Sequence, residues 1–168
     1  MPSRTAPAIY CYSKSGNSRR VALALAEKTG ADVISVDVDR YRSRFFWMVR
    51  AIWDVGRKNA PPLLTGNVLP AQRPWIVVAG PVWANQPAAP LRTVLETLTN
   101  VDVCVGVLLT CGRSKEQGAS LTTCEDILGH PLAACVSIPN EMTDAEDVNA
   151  LLSAFASALT GRAAKGAA

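Results

Sequence analysis

Ser13-Lys14-Ser15-Gly16-Asn17-Ser18 stands between a short apolar run, Ala8-Ile9-Tyr10-Cys11-Tyr12, and the stretch Arg19-Arg20-Val21-Ala22-Leu23-Ala24-Leu25-Ala26-Glu27-Lys28. The run reads as a strand, and the stretch puts Val21, Ala24, Leu25 and Lys28 on one side of a helix. A small, hydroxyl-rich turn therefore carries the chain from strand to helix. The first amides of a helix have no partner inside it and carry a partial positive charge, so a turn placed there can hold a phosphate. Ser13, Ser15, Asn17 and Ser18 add side-chain donors, and Gly16 lets the backbone come close to an anion. An ordinary helix-capping turn uses the same residue types. Neither G-x-x-x-x-G-K-[ST] nor G-x-G-x-x-G is present at this turn, which argues against a P-loop nucleotide hydrolase and a dinucleotide fingerprint.

Outward from the turn, strand and helix patterns alternate. Asp32-Val33-Ile34-Ser35-Val36-Asp37-Val38 alternates polar and apolar, as a half-buried strand at a sheet edge does. Trp75-Ile76-Val77-Val78-Ala79 is continuously apolar, the mark of a central strand covered on both sides. Gln86-Pro87-Ala88-Ala89-Pro90 leads into a helix with Leu91, Val94, Leu95 and Leu98 on one face, and 101–109 is another buried strand. A weakly patterned helix over 116–128 ends at Gly129-His130-Pro131, and Ala133-Ala134-Cys135-Val136-Ser137-Ile138 is the fifth strand. Thr143 with Glu146 forms a capping box for a last helix whose face is Val148, Leu151, Leu152, Phe155 and Leu159; the small-residue tail over 161–168 is expected to fray. The alternation predicts one α/β domain, a doubly wound five-stranded parallel sheet with right-handed crossovers. Ligands of such sheets bind at the carboxyl ends of the strands.

Composition agrees with a single globular domain: 168 residues, 49% hydrophobic and 18% charged. The N-terminus lacks a secretory apolar region and no apolar run approaches the length of a membrane span, so the cytoplasm is the expected location. Five cysteines, Cys11, Cys104, Cys111, Cys124 and Cys135, contain no C-x-x-C pair, which predicts reduced thiols rather than a disulfide framework or zinc site.

The loops carry a more specific signal. Tyr12-Ser13-Lys14-Ser15-Gly16-Asn17-Ser18 resembles the Y-S-x-[ST]-G-N-[ST] loop of the flavodoxin-like family, and Gly80-Pro81-Val82-Trp83-Ala84 resembles that family's G-P-[IV]-W loop. Thr110-Cys111-Gly112-Arg113 falls where a third loop would meet the isoalloxazine ring. The resemblance covers roughly residues 6–160 and implies strand order 2-1-3-4-5, with FMN at the switch point between the first and third strands. It implies that residues 13–18 hold the FMN phosphate, with Lys14 adding charge there or pointing to solvent. Trp83 would stack on the ring or pack under its loop, Pro81, Val82 and Ala84 would give backbone contacts, and Asn85 and Gln86 amide contacts. Cys111, Gly112 and Arg113 would face the ring from the third loop. Electron-carrier flavodoxins surround the flavin with acids and a second aromatic that are missing here; a cation such as Arg113 near N1 and O2 would raise the flavin potential, or that arginine could simply lie on the surface. The resemblance thus implies electron transfer, or two-electron reduction of a small acceptor such as a quinone, with NAD(P)H as a transient donor. No catalytic dyad is visible. The alternative is a scaffold protein that has kept the fold and lost FMN.

Residues 40–58 stand apart. Arg40, Arg42, Arg44, Arg50, Arg57 and Lys58 face one acid, Asp54, giving this segment +5 within a chain of +3 and leaving −2 for the rest. Phe45, Met48, Val49 and Ile52 recur at helical spacing, and Phe46, Trp47 and Trp53 widen the apolar face. The bland reading is core packing; the others are a lid over the flavin or a docking surface for an acidic partner or a membrane. A nucleic-acid partner is a poor fit for one basic segment on a nearly neutral domain. Exposed tryptophans there would favour a homodimer. Cys111 has no partner cysteine nearby and reads as an inert thiol, and His130 reads as a helix-terminal cap.

Overall fold

The computed structural model describes residues 6–43, 45–64, 73–112, 117–142 and 146–166. Strand β1 spans Ala8–Cys11 and is followed by helix α1, Asn17–Thr29, and strand β2, Asp32–Ser35. A 3₁₀ turn at Asp39–Tyr41 leads to helix α2, Trp47–Gly56. Strands β3, Trp75–Trp83, and β4, Gln86–Pro87, precede helix α3, Ala89–Leu98. Strand β5, Cys104–Cys111, helix α4, Gln117–Leu128, strand β6, Ala134–Pro139, and helix α5, Glu146–Gly166, complete the order.

The parallel strands are ordered β2-β1-β3-β5-β6, and β4 pairs antiparallel with the end of β3. Counted without that two-residue addition, this is the expected 2-1-3-4-5. The side-chain period of a strand sends alternate residues to opposite faces, and both faces are buried here. Ala8, Tyr10, Ile76, Val78, Val107 and Leu109 meet Leu91, Leu95 and Leu98 of α3 and Cys124 and Leu128 of α4. Ile9, Cys11, Val77, Ala79 and Leu108 meet Val21 and Leu25 of α1 and Leu152, Phe155 and Leu159 of α5. Each fully buried aliphatic side chain contributes about 1.5–3 kcal/mol, so the two layers together hold the sheet. Chain reversal at β1 creates the switch point: α1 leads out to β2, and the chain returns to place β3 on the other side.

Several boundaries differ from the sequence expectation for identifiable reasons. The second strand ends at Ser35 because its partner β1 ends at Cys11, with one further bond from the Val36 amide to the Cys11 carbonyl (2.8 Å); Val36 and Val38 are nonetheless buried. A turn over 98–101, closed by the Val101 amide on the Leu98 carbonyl, leads into an irregular stretch, so β5 starts at Cys104. At its other end β5 runs on to Cys111, because β6 offers ladder partners up to Pro139. The expected loop at residues 80–84 is largely strand, since β3 continues to Trp83 and turns back into β4. Helix α5 continues to Gly166, through most of the stretch read as a tail. Thr143 of the capping box, Arg44 and Glu116 lie outside the described residues.

Helix α2 overturns the core reading of its apolar residues. Phe45, Phe46, Met48, Val49, Ile52 and Trp53 are exposed, while Ala51 and Asp54 are buried and Trp47 packs inward. An apolar face of this width fixes no orientation by itself. The hydrogen bonds of Asp54 decide it, since the carboxylate accepts from Arg40, Tyr41 and Asn59 on the protein side of the helix.

Candidate functional site

The turn at 13–18 lies at the carboxyl end of β1, and its backbone is shaped by one glycine. Gly16 has φ +95° and is the N-cap of α1, a left-handed conformation that a side-chain-bearing residue rarely adopts. Its amide donates to the Ser13 hydroxyl at 3.1 Å, and its carbonyl accepts the Arg20 amide at 3.0 Å, which closes the first turn of the helix. The N-cap makes no side-chain capping bond and the first turn of α1 contains no acid. Arg19 and Arg20 occupy that turn instead, where the helix dipole disfavours cations. This arrangement favours an anion, since the helix end, Lys14 and both arginines add their fields at an exposed turn.

The individual donors are less uniform than the sequence suggested. Ser15 is exposed on the turn, and the Asn17 side-chain oxygen accepts from Arg20 at 3.4 Å. The Ser18 hydroxyl is buried and shares a 2.7 Å hydrogen bond with the Thr110 hydroxyl, so it ties the turn to β5 instead of facing an anion. Lys14 is exposed, but its amine is tethered. Its Nζ donates to the Tyr41 carbonyl at 2.9 Å and lies 5.6 Å from the centre of the Trp47 ring.

The second loop is a tight hairpin. Val82 pairs with Pro87 and Trp83 with Gln86, so Ala84 and Asn85 form a two-residue turn with φ of 47° and 61°. Asn tolerates this region; Ala does so at a steric cost of about 1–2 kcal/mol. The Ala88 amide bonds the Pro81 carbonyl at 3.0 Å, fixing the hairpin against the start of α3.

Trp83 packs in an aromatic cluster. Its ring centre is 5.5 Å from that of Tyr12 and 5.4 Å from that of Tyr41, both edge-on, and 6.0 Å from that of Trp47. It is half-buried and packs against the core. Among the described residues the buried Tyr12 hydroxyl has no hydrogen-bond partner, an omission that costs about 1–3 kcal/mol. Burial, helped by the charge of Asp37, pushes its pKa up to about 12, so it remains a protonated donor. No spacing in the sequence links Tyr12, Tyr41 and Trp47 to Trp83; the only signal is that Tyr12 and Trp83 each border one of the two loops.

The third loop contributes less. Cys111 ends β5 and is buried, with its thiol 3.6 Å from the Ser137 hydroxyl and 3.9 Å from the Ile138 carbonyl. Gly112 is exposed, and a Cβ there would meet nothing. Arg113 lies outside the described residues. His130 is half-buried with Nδ1 3.1 Å from the Pro131 carbonyl, near Cys104 and Arg162 at the opposite ends of the strands, and the bond that closes α4 comes from the Gly129 amide to Glu125. A cleft of about 580 Å³ lies beside the hairpin, lined by Ala84, Gln86, Lys58, Arg92 and Asp126 among others, and does not reach the turn at 13–18. Among the described residues no group of His, Cys, Asp and Glu could hold a metal.

These features define an α/β sheet protein with a glycine-capped helix N-terminus at its switch point. Comparison with solved structures places the chain in the flavodoxin-like fold. A flavoprotein from Lactobacillus acidophilus, solved in complex with FMN, matches at 18% identity and TM-score 0.66, over 83% of this chain and 97% of that one. A chain from Bacteroides eggerthii described as a flavoprotein matches at 16% identity and TM-score 0.72, over 90% and 98%. The rubredoxin oxygen:oxidoreductase of Desulfovibrio gigas contains a similar domain, at 15% identity and TM-score 0.64, over all of this chain and 38% of the enzyme. No protein-family model and no curated protein sequence matches.

Proposed function

We propose that the chain binds FMN and works in electron transfer. The observation that carries this reading is the N-terminus of α1, which is capped by a glycine in place of an acceptor side chain and carries Arg19 and Arg20, with no acid, in its first turn. The residues present suit the cofactor's two ends. The amides of the 13–18 turn, with the Ser15 hydroxyl, would hold the phosphate. The hairpin backbone at Pro81, Val82 and Ala84, with Trp83 and Gly112, would border the ring, and the buried, unpartnered Tyr12 hydroxyl offers a donor beside Trp83. FMN, when bound, supplies one- and two-electron redox chemistry. The protein's part is to fix the phosphate, to orient the ring edge, and to keep a rigid aromatic wall around Trp83. Reduction of a quinone-like acceptor with NAD(P)H as transient donor, and electron carriage to a partner protein, are two forms of this activity that donor and acceptor assays separate.

The test is the absorbance spectrum of the purified chain between about 300 and 550 nm, with and without added FMN, for the wild type and Ser15→Asp. Ser15 is exposed, so the variant folds, and its carboxylate repels phosphate. The expected outcome is a bound flavin spectrum whose affinity falls by roughly 10- to 100-fold in the variant, about 1.4–2.8 kcal/mol. A wild-type chain that binds no flavin at any concentration overturns the proposal and leaves a scaffold role.

A further inference from the structure

The outward face of α2 is the largest feature that an FMN site leaves unexplained. Phe45, Phe46, Met48, Val49, Ile52 and Trp53 are each more than half exposed, from 54% at Trp53 to 83% at Phe45. At about 100° per residue, those on the helix share one arc, and Trp47, Ala51 and Asp54 take the inward arc. Among the other described residues, the exposed large apolar ones are scattered singly at Leu23, Leu64 and Leu151. Charge distinguishes this patch further. Within the segment the only acid, Asp54, is fully buried in its bonds to Arg40, Tyr41 and Asn59, so every described charge left at the surface is positive. Arg50 and Arg57 lie on the edge of the apolar arc, and Lys58 follows them. The Arg57 guanidinium lies 4.1 Å from the centre of the Trp53 ring, pairing a cation with the aromatic beside it. Upstream, Asp39 is exposed and makes a loose 3.4 Å pair with Arg42.

We propose that this face of α2 seats on an anionic lipid surface. The apolar side chains would enter the boundary between headgroups and acyl chains, with Trp53 at that boundary and Arg50, Arg57 and Lys58 at the level of the phosphates. The patch sets bulky apolar side chains beside cations, which suits a fluid anionic interface. A second copy of the same face would bring like charges together, a cost that self-association would have to offset. The helix lies on the membrane and does not cross it: at ten residues it is about 15 Å long, and no described helix is long and apolar enough to span. The inward side of the same helix carries Trp47, which touches both Trp83 and Lys14. Docking through α2 therefore brings the turn at 13–18 and the hairpin close to the bilayer. The docking itself does not depend on FMN.

The experiment is co-sedimentation of the full chain with vesicles of phosphatidylcholine alone, and with vesicles in which phosphatidylglycerol replaces part of it. The expected result is binding to the anionic vesicles only, weakening as salt rises. The double variant Ile52→Glu with Trp53→Glu should bind at least about tenfold more weakly, and so should Arg50→Glu with Arg57→Glu. All four positions are exposed, and far-UV circular dichroism verifies the fold. As an independent readout on undisturbed surface chemistry, brominated lipid should quench the wild type more than Trp53→Phe. Absence of vesicle binding overturns the proposal, and an acidic protein then becomes the partner to seek. Vesicle binding that the α2 variants leave unchanged overturns it too. So does a dimer in sedimentation velocity that the Ile52→Glu, Trp53→Glu variant dissolves while vesicles bind neither form.

Discussion

Asp54 sits on an otherwise apolar helix and decides which way that helix faces. Its carboxylate is fully buried and accepts hydrogen bonds from Arg40 Nη2 (2.9 Å), the Tyr41 hydroxyl (2.8 Å) and Asn59 Nδ2 (2.9 Å), which joins the Asp39–Tyr41 turn to α2. Burial pushes this carboxyl up, but the bonds from Arg40, Asn59 and Tyr41 together outweigh burial and hold it below the ordinary value of 3.8. Asp54→Ala leaves the Tyr41 hydroxyl without its acceptor. Because Arg40 keeps 44% of its side chain in water, the expected loss is about 2–3 kcal/mol, the lower part of the range for a broken buried pair. The pH dependence has a definite sign. A carboxyl with a depressed folded pKa stabilises the fold above its unfolded pKa, and that contribution disappears as pH falls through the folded value. Urea midpoints of wild type and Asp54→Ala should therefore differ by a constant amount from neutrality down to about pH 5 and converge below the ordinary carboxylate pKa. A gap that stays constant into the acid range, or one too small to measure at neutral pH, contradicts this account.

At the scale of elements, α3 packs against β3 with no room to spare at Gly80. A Cβ on Gly80 would overlap the Leu91 side chain, which is itself buried and held between sheet and helix. Gly80→Ala should cost about 1–3 kcal/mol by overpacking, and Leu91→Val added to it should recover part of the loss, both read from thermal or urea unfolding. Equal stability of wild type and Gly80→Ala would mean that α3 moves freely off the strand. The same pair of elements shows what a sequence can reveal. The continuous run Trp75-Ile76-Val77-Val78-Ala79 announced a central strand, and the spacing of Leu91, Val94, Leu95 and Leu98 announced the helix over it, because burial on both sides or on one face leaves a periodic trace. The hairpin after β3 left none. Its turn is Ala84-Asn85, and an alanine with positive φ has no signature in the residue code. The turn at 13–18 was legible from its residue types, yet the partner of Ser18 was not, since Thr110 is 92 residues away. The orientation of α2 was hidden for a third reason: seven bulky residues in a short segment satisfy almost any phase, and only the partners of Asp54 choose one.

At the scale of the whole molecule, the five cysteines report whether the two helical layers open together. Cys11 lies in the layer of α1 and α5, Cys124 in the layer of α3 and α4, and Cys111 at the end of β5 between them, all three buried. Burial pushes the thiols of Cys11 and Cys124 up to about 12, with Arg19 and Arg92 respectively offsetting it in small part. A thiolate is the reactive form, so neither reacts in the folded state at neutral or mildly alkaline pH. Cys135 is exposed and Cys104 half-buried. Ellman's reagent at about pH 8 should therefore label Cys135 first and Cys104 more slowly, with Cys135→Ser removing the fast phase. The other three should wait for opening of the fold. The sheet is shared by both layers and β3 lies at its centre, so exposure of Cys11 requires α1 to leave β1 and β3, and that loss removes packing from strands which also support α3 and α4. Cys11 and Cys124 should thus react with one common slow rate that rises together as urea is added. Cys11 lines a small hollow of about 120 Å³ beside Ser13 and Arg19, which makes it the place where separate behaviour would show first. If mass spectrometry found Cys11 labelled well before Cys124, the α1 layer would be opening by itself and the two layers would be distinct cooperative units.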